Sequence, residues 1–106
     1  GDDENLRVLV LKLLNAHHLD ATSVLALEEL LEYLKEKNCH VLLCEVRRDA
    51  LRILRNSGVL TRINRKNVFP HTASNPTLST AKAIKRAKFL VSGEKAKVTI
   101  FADRQK

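Results

Sequence analysis

Two runs of the chain are apolar at both alternating sets of positions. Leu6 to Leu14, LRVLVLKLL, is broken only by Arg7 and Lys12, and His40 to Val46, HVLLCEV, lies between KEKN and RRD. Short runs with no polar face suit strands covered on both sides. Between them Val24, Leu27, Leu31 and Leu34 recur at helical spacing, with Leu30 widening the stripe and Glu28, Glu29, Glu32, Lys35 and Glu36 opposite. That pattern predicts an amphipathic helix. After the second run, Asp49 can cap a helix in ALRILRNSG, with Leu51 and Leu54 inward, Arg52 and Arg55 outward, and Gly58 at the left-handed C-terminal position.

The second half continues the alternation. Asn67 to Phe69 predicts a third short strand ended by Pro70, and HTASNP is a loop by its turn chemistry. Asn75 followed by Pro76 predicts a helix start. The helix that follows carries Ala83, Ile84, Ala87, Leu90 and Val91 on one face and Lys82, Lys85 and Arg86 on the other, with Gly93 placed to close it. Finally, Ala96, Val98 and Ile100 alternate with Lys97, Thr99 and Phe101, the period of a half-buried edge strand. Strands alternating with helices imply an α/β fold built on a mostly parallel sheet with right-handed crossovers, leaving room for one antiparallel edge strand.

Composition confines this pattern to one soluble domain, residues 1–106. With 44% hydrophobic residues and only three glycines and two prolines, the chain can bury a core. No stretch reaches the roughly 18 to 20 apolar residues that a membrane span needs, and the acidic start GDDENLR is unlike a signal peptide. The net charge of +7 is divided unequally. Residues 1–46 hold four Lys/Arg and nine Asp/Glu, a balance of −5, and residues 47–106 hold fifteen and three, a balance of +12. A half so basic can face nucleic acid, an anionic membrane leaflet or an acidic partner. Its basic residues include Arg47, Arg48, Arg52 and Arg55; Arg62, Arg65 and Lys66; and Lys82, Lys85, Arg86 and Lys88. Nucleic-acid recognition usually interleaves aromatic residues with such charges, and the chain has one tyrosine and three phenylalanines, which argues against it.

The candidate chemistry sits where the first strand turns into the first helix. HHLDATS places Asp20, Thr22 and Ser23 at that joint, beyond a strand's carboxyl end, where open α/β sheets bind ligands. Three readings stand: a helix cap, an anion site on free helix amides, or a hydroxyl that is itself phosphorylated. No glycine lies between Gly1 and Gly58, so there is no phosphate-cradling loop of the nucleotide-binding kinds. A metal site is not expected from His17, His18, His40, His71, Cys39 and Cys44, because CHVLLC lacks zinc spacing and its two cysteines fall on opposite sides of a strand. The cysteines are also too close for an unstrained disulfide, so reduced thiols are expected. His18, Asp20 and Ser23 are too close along the chain for a hydrolytic triad, and no nucleophile elbow is present. No catalysis and no cofactor are expected.

LDATSVLALEELLEYLKEKNCHVLLCEVRRDALRILRNSGVL, residues 19–60, resembles the STAS domain, which is shared by bacterial anti-sigma factor antagonists and the cytosolic C-terminal region of SulP-type anion transporters. The resemblance runs from Leu6 to about Val91. RINRKNVFPH is similar to the transporter branch's return to the sheet, and NPTLSTAKAIKRAKFL to cyanobacterial bicarbonate transporters of that branch. The resemblance implies a non-catalytic cytosolic domain that supports homodimer assembly and regulation beside a parent transmembrane domain, on the cytoplasmic side of the membrane. It also implies one or two strands ahead of Leu6, so the chain is expected to be a fragment with an exposed sheet edge that AKVTIFA of a second copy can pair with or exchange into. The basic residues Arg47, Arg48, Arg52, Arg55, Lys82, Lys85 and Arg86 are then expected to face inner-leaflet anionic lipid or an acidic partner. In the antagonist branch the phosphorylated hydroxyl lies two residues after the aspartate, which falls on Thr22 after Asp20. Here Ser23 stands where that branch has glycine, and Ala21 where serine is common.

Overall fold

The computed structural model describes residues 6–13, 19–91 and 96–102. His17, His18 and the helix-closing position of Gly93 lie outside them. Four strands, β1 (Leu6–Lys12), β2 (Cys39–Val46), β3 (Val68–Pro70) and β4 (Ala96–Ala102), form one sheet in the order β3-β2-β1-β4. Every pairing in it is parallel, so β4 is the expected edge strand but not an antiparallel one. Three helices, α1 (Ala21–Glu36), α2 (Arg48–Ser57) and α3 (Leu78–Leu90), connect the strands. This is the α/β architecture that the alternation predicts. Among the described residues, no helix is long and apolar enough to cross a membrane.

The topology decides which helix covers which face. From β1 to β2 to β3 the chain steps in one direction across the sheet, and right-handed crossovers set α1 and α2 on the same side. The return from β3 to β4 reverses the step and sets α3 on the other. The core divides accordingly. Leu11, Val41 and Leu43 pack with Val24, Leu31, Ala50 and Leu54 of α1 and α2, whereas Val8, Val10, Leu42 and Cys44 pack with Ala83 and Ala87 of α3. Because both faces of β1 and β2 are covered, neither strand has a polar face, which explains why both read as apolar runs rather than as alternating ones.

Two helix ends depart from the sequence expectation. Helix α2 starts at Arg48, with Arg47 as its cap residue, and Asp49 lies in its first turn, where it accepts a hydrogen bond from the Ala50 amide at 2.9 Å. Helix α3 starts at Leu78, three residues after Asn75, whose carbonyl accepts from the Leu78 amide at 3.0 Å. Leu30 is turned outward, 39% exposed, so the apolar stripe of α1 is narrower than its composition suggests.

Left-handed backbone appears where the chain must turn sharply. Asn38 (φ 57°) follows α1 and Gly58 (φ 87°) ends α2, where its amide reaches the Arg55 carbonyl at 3.2 Å. Nothing lies within 4 Å of where a Gly58 side chain would project. The cost of replacing it is therefore conformational. Gly58→Ala is expected to destabilise the domain by about 1–2 kcal/mol, and Gly58→Asn by less, since asparagine tolerates this region. Urea midpoints of the three proteins check the order.

Candidate functional site

The strongest irregularity of the sheet is a bulge at the end of β2. Leu43 pairs with Val68 and Cys44 with Phe69, but the next partner, Pro70, is matched by Val46, so Glu45 is an inserted residue. It too is left-handed, at φ 56°, a conformation that costs a non-glycine residue about 1–2 kcal/mol. The insertion changes the faces. Without it Val46 would follow Leu42 and Cys44 toward α3, yet it packs with the α1 and α2 cluster. The Glu45 side chain turns instead toward β3 and α3.

There it is buried, 1% exposed, and fully engaged. His71, just past β3, brings Nδ1 within 2.7 Å of Glu45 Oε1. On α3, the Thr80 amide donates to Oε2 at 3.1 Å and the Thr80 hydroxyl donates to the same oxygen. The buried Ser79 hydroxyl accepts from the Glu45 amide at 2.9 Å. Thr80 is the third residue of α3, and Thr77 at the cap position makes no side-chain cap bond. Glu45 therefore supplies from β2 the acceptor that a capping side chain usually supplies locally. This accounts for the late start of α3, whose N-terminal dipole also favours the negative charge.

Burial raises the pKa of the Glu45 carboxyl, but hydrogen bonds from the Thr80 hydroxyl, His71 and Ser79, with the Thr80 amide, outweigh it and hold the group below its ordinary value. Burial pushes the neighbouring Cys44 thiol up, and Cys44 Sγ lies 3.7 Å from the Thr80 hydroxyl. Cys39, half-buried, is raised by the same cause. Neither thiol is set up as a nucleophile.

The sequence-predicted turn lies at the same end of the sheet, but on the α1 side. Asp20 is the helix cap, accepting from the Ser23 amide at 2.8 Å, and that bond lowers its pKa. Thr22 and Ser23 are not caps; both lie exposed in the first turn of α1. The predicted basic residues do not share a surface. Arg48, Arg52 and Arg55 are exposed on α2, and Lys82 and Lys85 are exposed on α3, across the sheet. Arg86 is half-buried, with Nε donating to Asn67 Oδ1 at 2.9 Å and its guanidinium over Phe89. Arg47, also half-buried, lines a cleft with Lys12, Glu45 and His71. His40 is exposed and His71 is engaged with Glu45, and no group of three or more His, Cys, Asp or Glu among the described residues could hold a metal.

Sequence reasoning missed Glu45, His71 and Thr80 as a unit. One signal was present: a lone carboxylate inside the apolar run VLLCEV, where a buried charge needs partners. Its partners, 26 and 35 positions away, carry no local mark of it.

Because folding lowers the pKa of Glu45, its contribution to stability is complete above the ordinary carboxylate value, about 4.3, and is lost as pH falls through the lower folded value. Glu45→Gln is expected to cost about 1–3 kcal/mol near neutrality, because an amide cannot accept at both positions. It should also remove the Glu45 share of the acid-side decline. Urea melts from neutral pH to pH 3 check this; unchanged acid dependence in the variant would contradict it.

The STAS domain family matches residues 2–75, from before β1 through β3 and into the loop ahead of α3. Neither a curated protein nor a solved structure matches the chain. The family match covers more than half of the 106 residues, and with the parallel sheet and its three helices it identifies the chain as a member of the STAS domain family.

Proposed function

We propose that the chain is the cytosolic STAS module of a SulP-type anion transporter, acting without catalysis in homodimer assembly and regulation of transport. The observation that carries this reading is the resemblance of RINRKNVFPH to the transporter branch, together with the work that segment does in the fold. Asn67 is buried and holds Arg86, Phe69 packs against the α3 cluster, and His71 bonds Glu45. The resemblance of NPTLSTAKAIKRAKFL to cyanobacterial members favours bicarbonate, coupled to sodium, as the parent's anion.

Assembly has a physical route. Strand β4 lies at the edge of the sheet, with Ile100 49% exposed, and edges of parallel sheets accept a further strand. The β1 to β4 ladder can also form between two copies by exchange of β4. Either route makes a homodimer.

A second reading, a free-standing antagonist-like switch, is favoured by the exposure of Thr22 beside the ionised cap Asp20. Phosphate there would add about −1.5 to −2 charges at a helix N-terminus, attracted by the dipole and repelled by the Asp20 carboxylate. Membrane spans encoded upstream in the parent gene support the transporter reading. Their absence, together with kinase-dependent phosphate on Thr22 found by mass spectrometry, supports the switch.

Two outcomes are expected of the transporter reading. Light scattering over a wide concentration range should give a dimer mass, and a strictly monomeric mass overturns the assembly role. The chain should float with anionic liposomes at low salt and be released as salt screens the attraction. Charge reversal on α2 (Arg48, Arg52 and Arg55) and on α3 (Lys82 and Lys85) should affect flotation unequally, because the two sets face opposite ways.

A further inference from the structure

Among the described helices, α3 alone covers its face of the sheet, and the outer side of α3 is built to a pattern. Leu78, Lys82, Lys85 and Phe89 follow at i, i+4, i+7 and i+11, a single row along the helix. Leu78 is half-buried, both lysines are exposed, and Phe89 is 68% exposed. We infer that this row is a membrane-docking face, on which the lysines meet anionic headgroups and Phe89 enters the boundary between headgroups and acyl chains. Helices that lie in the membrane interface combine basic and apolar side chains in this way. Docking by α3 rests on the inner-leaflet contact of the transporter reading and fixes which face makes it.

Charge selects an anionic surface. Helix α3 carries Lys82, Lys85, Arg86 and Lys88 and no carboxylate, and residues 72–77, which lead into it, are uncharged. Residues 92–95, which follow it, add one glutamate and one lysine, and these cancel. Among the described residues Lys82, Lys85 and Lys88 are exposed and make no ion pair. Apolar side chains separate α3 from the opposite face. There Leu25, Leu30 and Tyr33 of α1 are exposed, but they stand among Glu29, Glu32 and Glu36, which an anionic leaflet repels. Helix α2 presents Arg48, Arg52 and Arg55 beside those glutamates and has no large hydrophobic side chain exposed. On the α3 side, exposed Ile100 is a second apolar point: its register partner on β1 is Val10, which packs with the α3 cluster.

Phe89 is also fixed in advance. Arg86 Nε donates to Oδ1 of the buried Asn67 at 2.9 Å, and its guanidinium lies 5.5 Å from the centroid of the Phe89 ring. An arginine anchored at its base holds the ring by its face. A side chain already ordered loses less entropy when it enters a partner. The exposed ring thus gains by leaving water without first having to be arranged.

The chain has no tryptophan, so Phe89→Trp places a single indole in the row and Tyr33→Trp places one on the acidic face. Vesicles of phosphatidylcholine with phosphatidylglycerol at low salt should shift the Phe89→Trp emission to the blue, and lipid brominated in its acyl chains should quench it. Tyr33→Trp emission should stay where it is, and vesicles of phosphatidylcholine alone should move neither. In flotation, Lys82→Gln combined with Lys85→Gln should weaken partition about 25-fold, from about fivefold per lysine, and Phe89→Ala about tenfold. All three positions are exposed, so far-ultraviolet circular dichroism should be unchanged. Neutralising Arg48, Arg52 and Arg55 together should leave partition nearly as it was. Docking by α3 is overturned by an unmoved Phe89→Trp emission, by an equal shift at Tyr33→Trp, or by partition that survives the α3 variants. It is also overturned if a short single-stranded oligonucleotide displaces the chain from the vesicles, which gives the row to nucleic acid. Flotation lost only in the α2 variant overturns docking by α3 and leaves the transporter reading standing. An emission shift retained by a chain of monomeric mass supports the docking face while overturning the assembly role.

Discussion

The carboxylate of Glu45 is the one charged side chain buried among the described residues, and two elements are fitted to it, the end of β3 and the start of α3. An ionised group taken from water without partners costs several kcal/mol, so it stays ionised inside a fold only where hydrogen bonds replace the water it lost. Here the residue after β3 supplies His71, α3 supplies the amide and hydroxyl of Thr80, and Ser79 secures the Glu45 amide. One side chain therefore ties the end of β2 to the end of β3 and to the start of the helix on the other face. The dependence is mutual. Without the carboxylate the Thr80 amide would be an unmet donor in the first turn of α3, and without α3 the carboxylate would lose most of what lowers its pKa.

The bulge explains why this arrangement is concentrated at one end of the sheet. A strand with strict alternation would direct residue 45 toward α1 and α2, where Leu43 and Val46 meet an apolar cluster. Inserting one residue sends the carboxylate the other way and returns Val46 to the apolar side. Left-handed backbone at a glutamate is unfavourable in isolation, and several hydrogen bonds offset it. The same geometry brings Lys12, Arg47 and Glu45 to the lining of one cleft.

The elements themselves were legible because each obeys a local rule. Both covered strands are apolar runs with few polar interruptions, α1 and α3 show helical stripes, and Gly58 stands where a left-handed residue closes a helix. The misreadings came where a distant group overrode the local one. Asn75 and Pro76 have the chemistry of a helix start, but the cap of α3 comes from Glu45, and the helix begins at Leu78. Asp49 resembles a cap and lies two residues past the cap position, inside the first turn. Leu30 extends the stripe of α1 by type, yet it is turned outward, 39% exposed. Asp20 was readable as a cap because its partner, Ser23, is three residues away. The Glu45 unit was not, because proximity in sequence says nothing about residues 26 and 35 positions apart.

The uneven charge of the chain is likewise redistributed by topology. Sequence halves of −5 and +12 suggest an acidic side and a basic side, but α1, with its glutamates, shares a face of the sheet with basic α2, and basic α3 lies on the other. Arg62 makes the join on the first face, pairing with Glu28 at 3.5 Å and with Glu32. A flat partner such as a bilayer can meet the arginines of α2 or the lysines of α3, not both together. Any electrostatic docking must therefore choose an orientation. If α3 faces the partner, the turn at Thr22 is left open on the far face, and if α2 faces it, that turn is brought near the contact. The fold thus sets whether a charge added at Thr22 acts on the docked surface directly or only through the sheet.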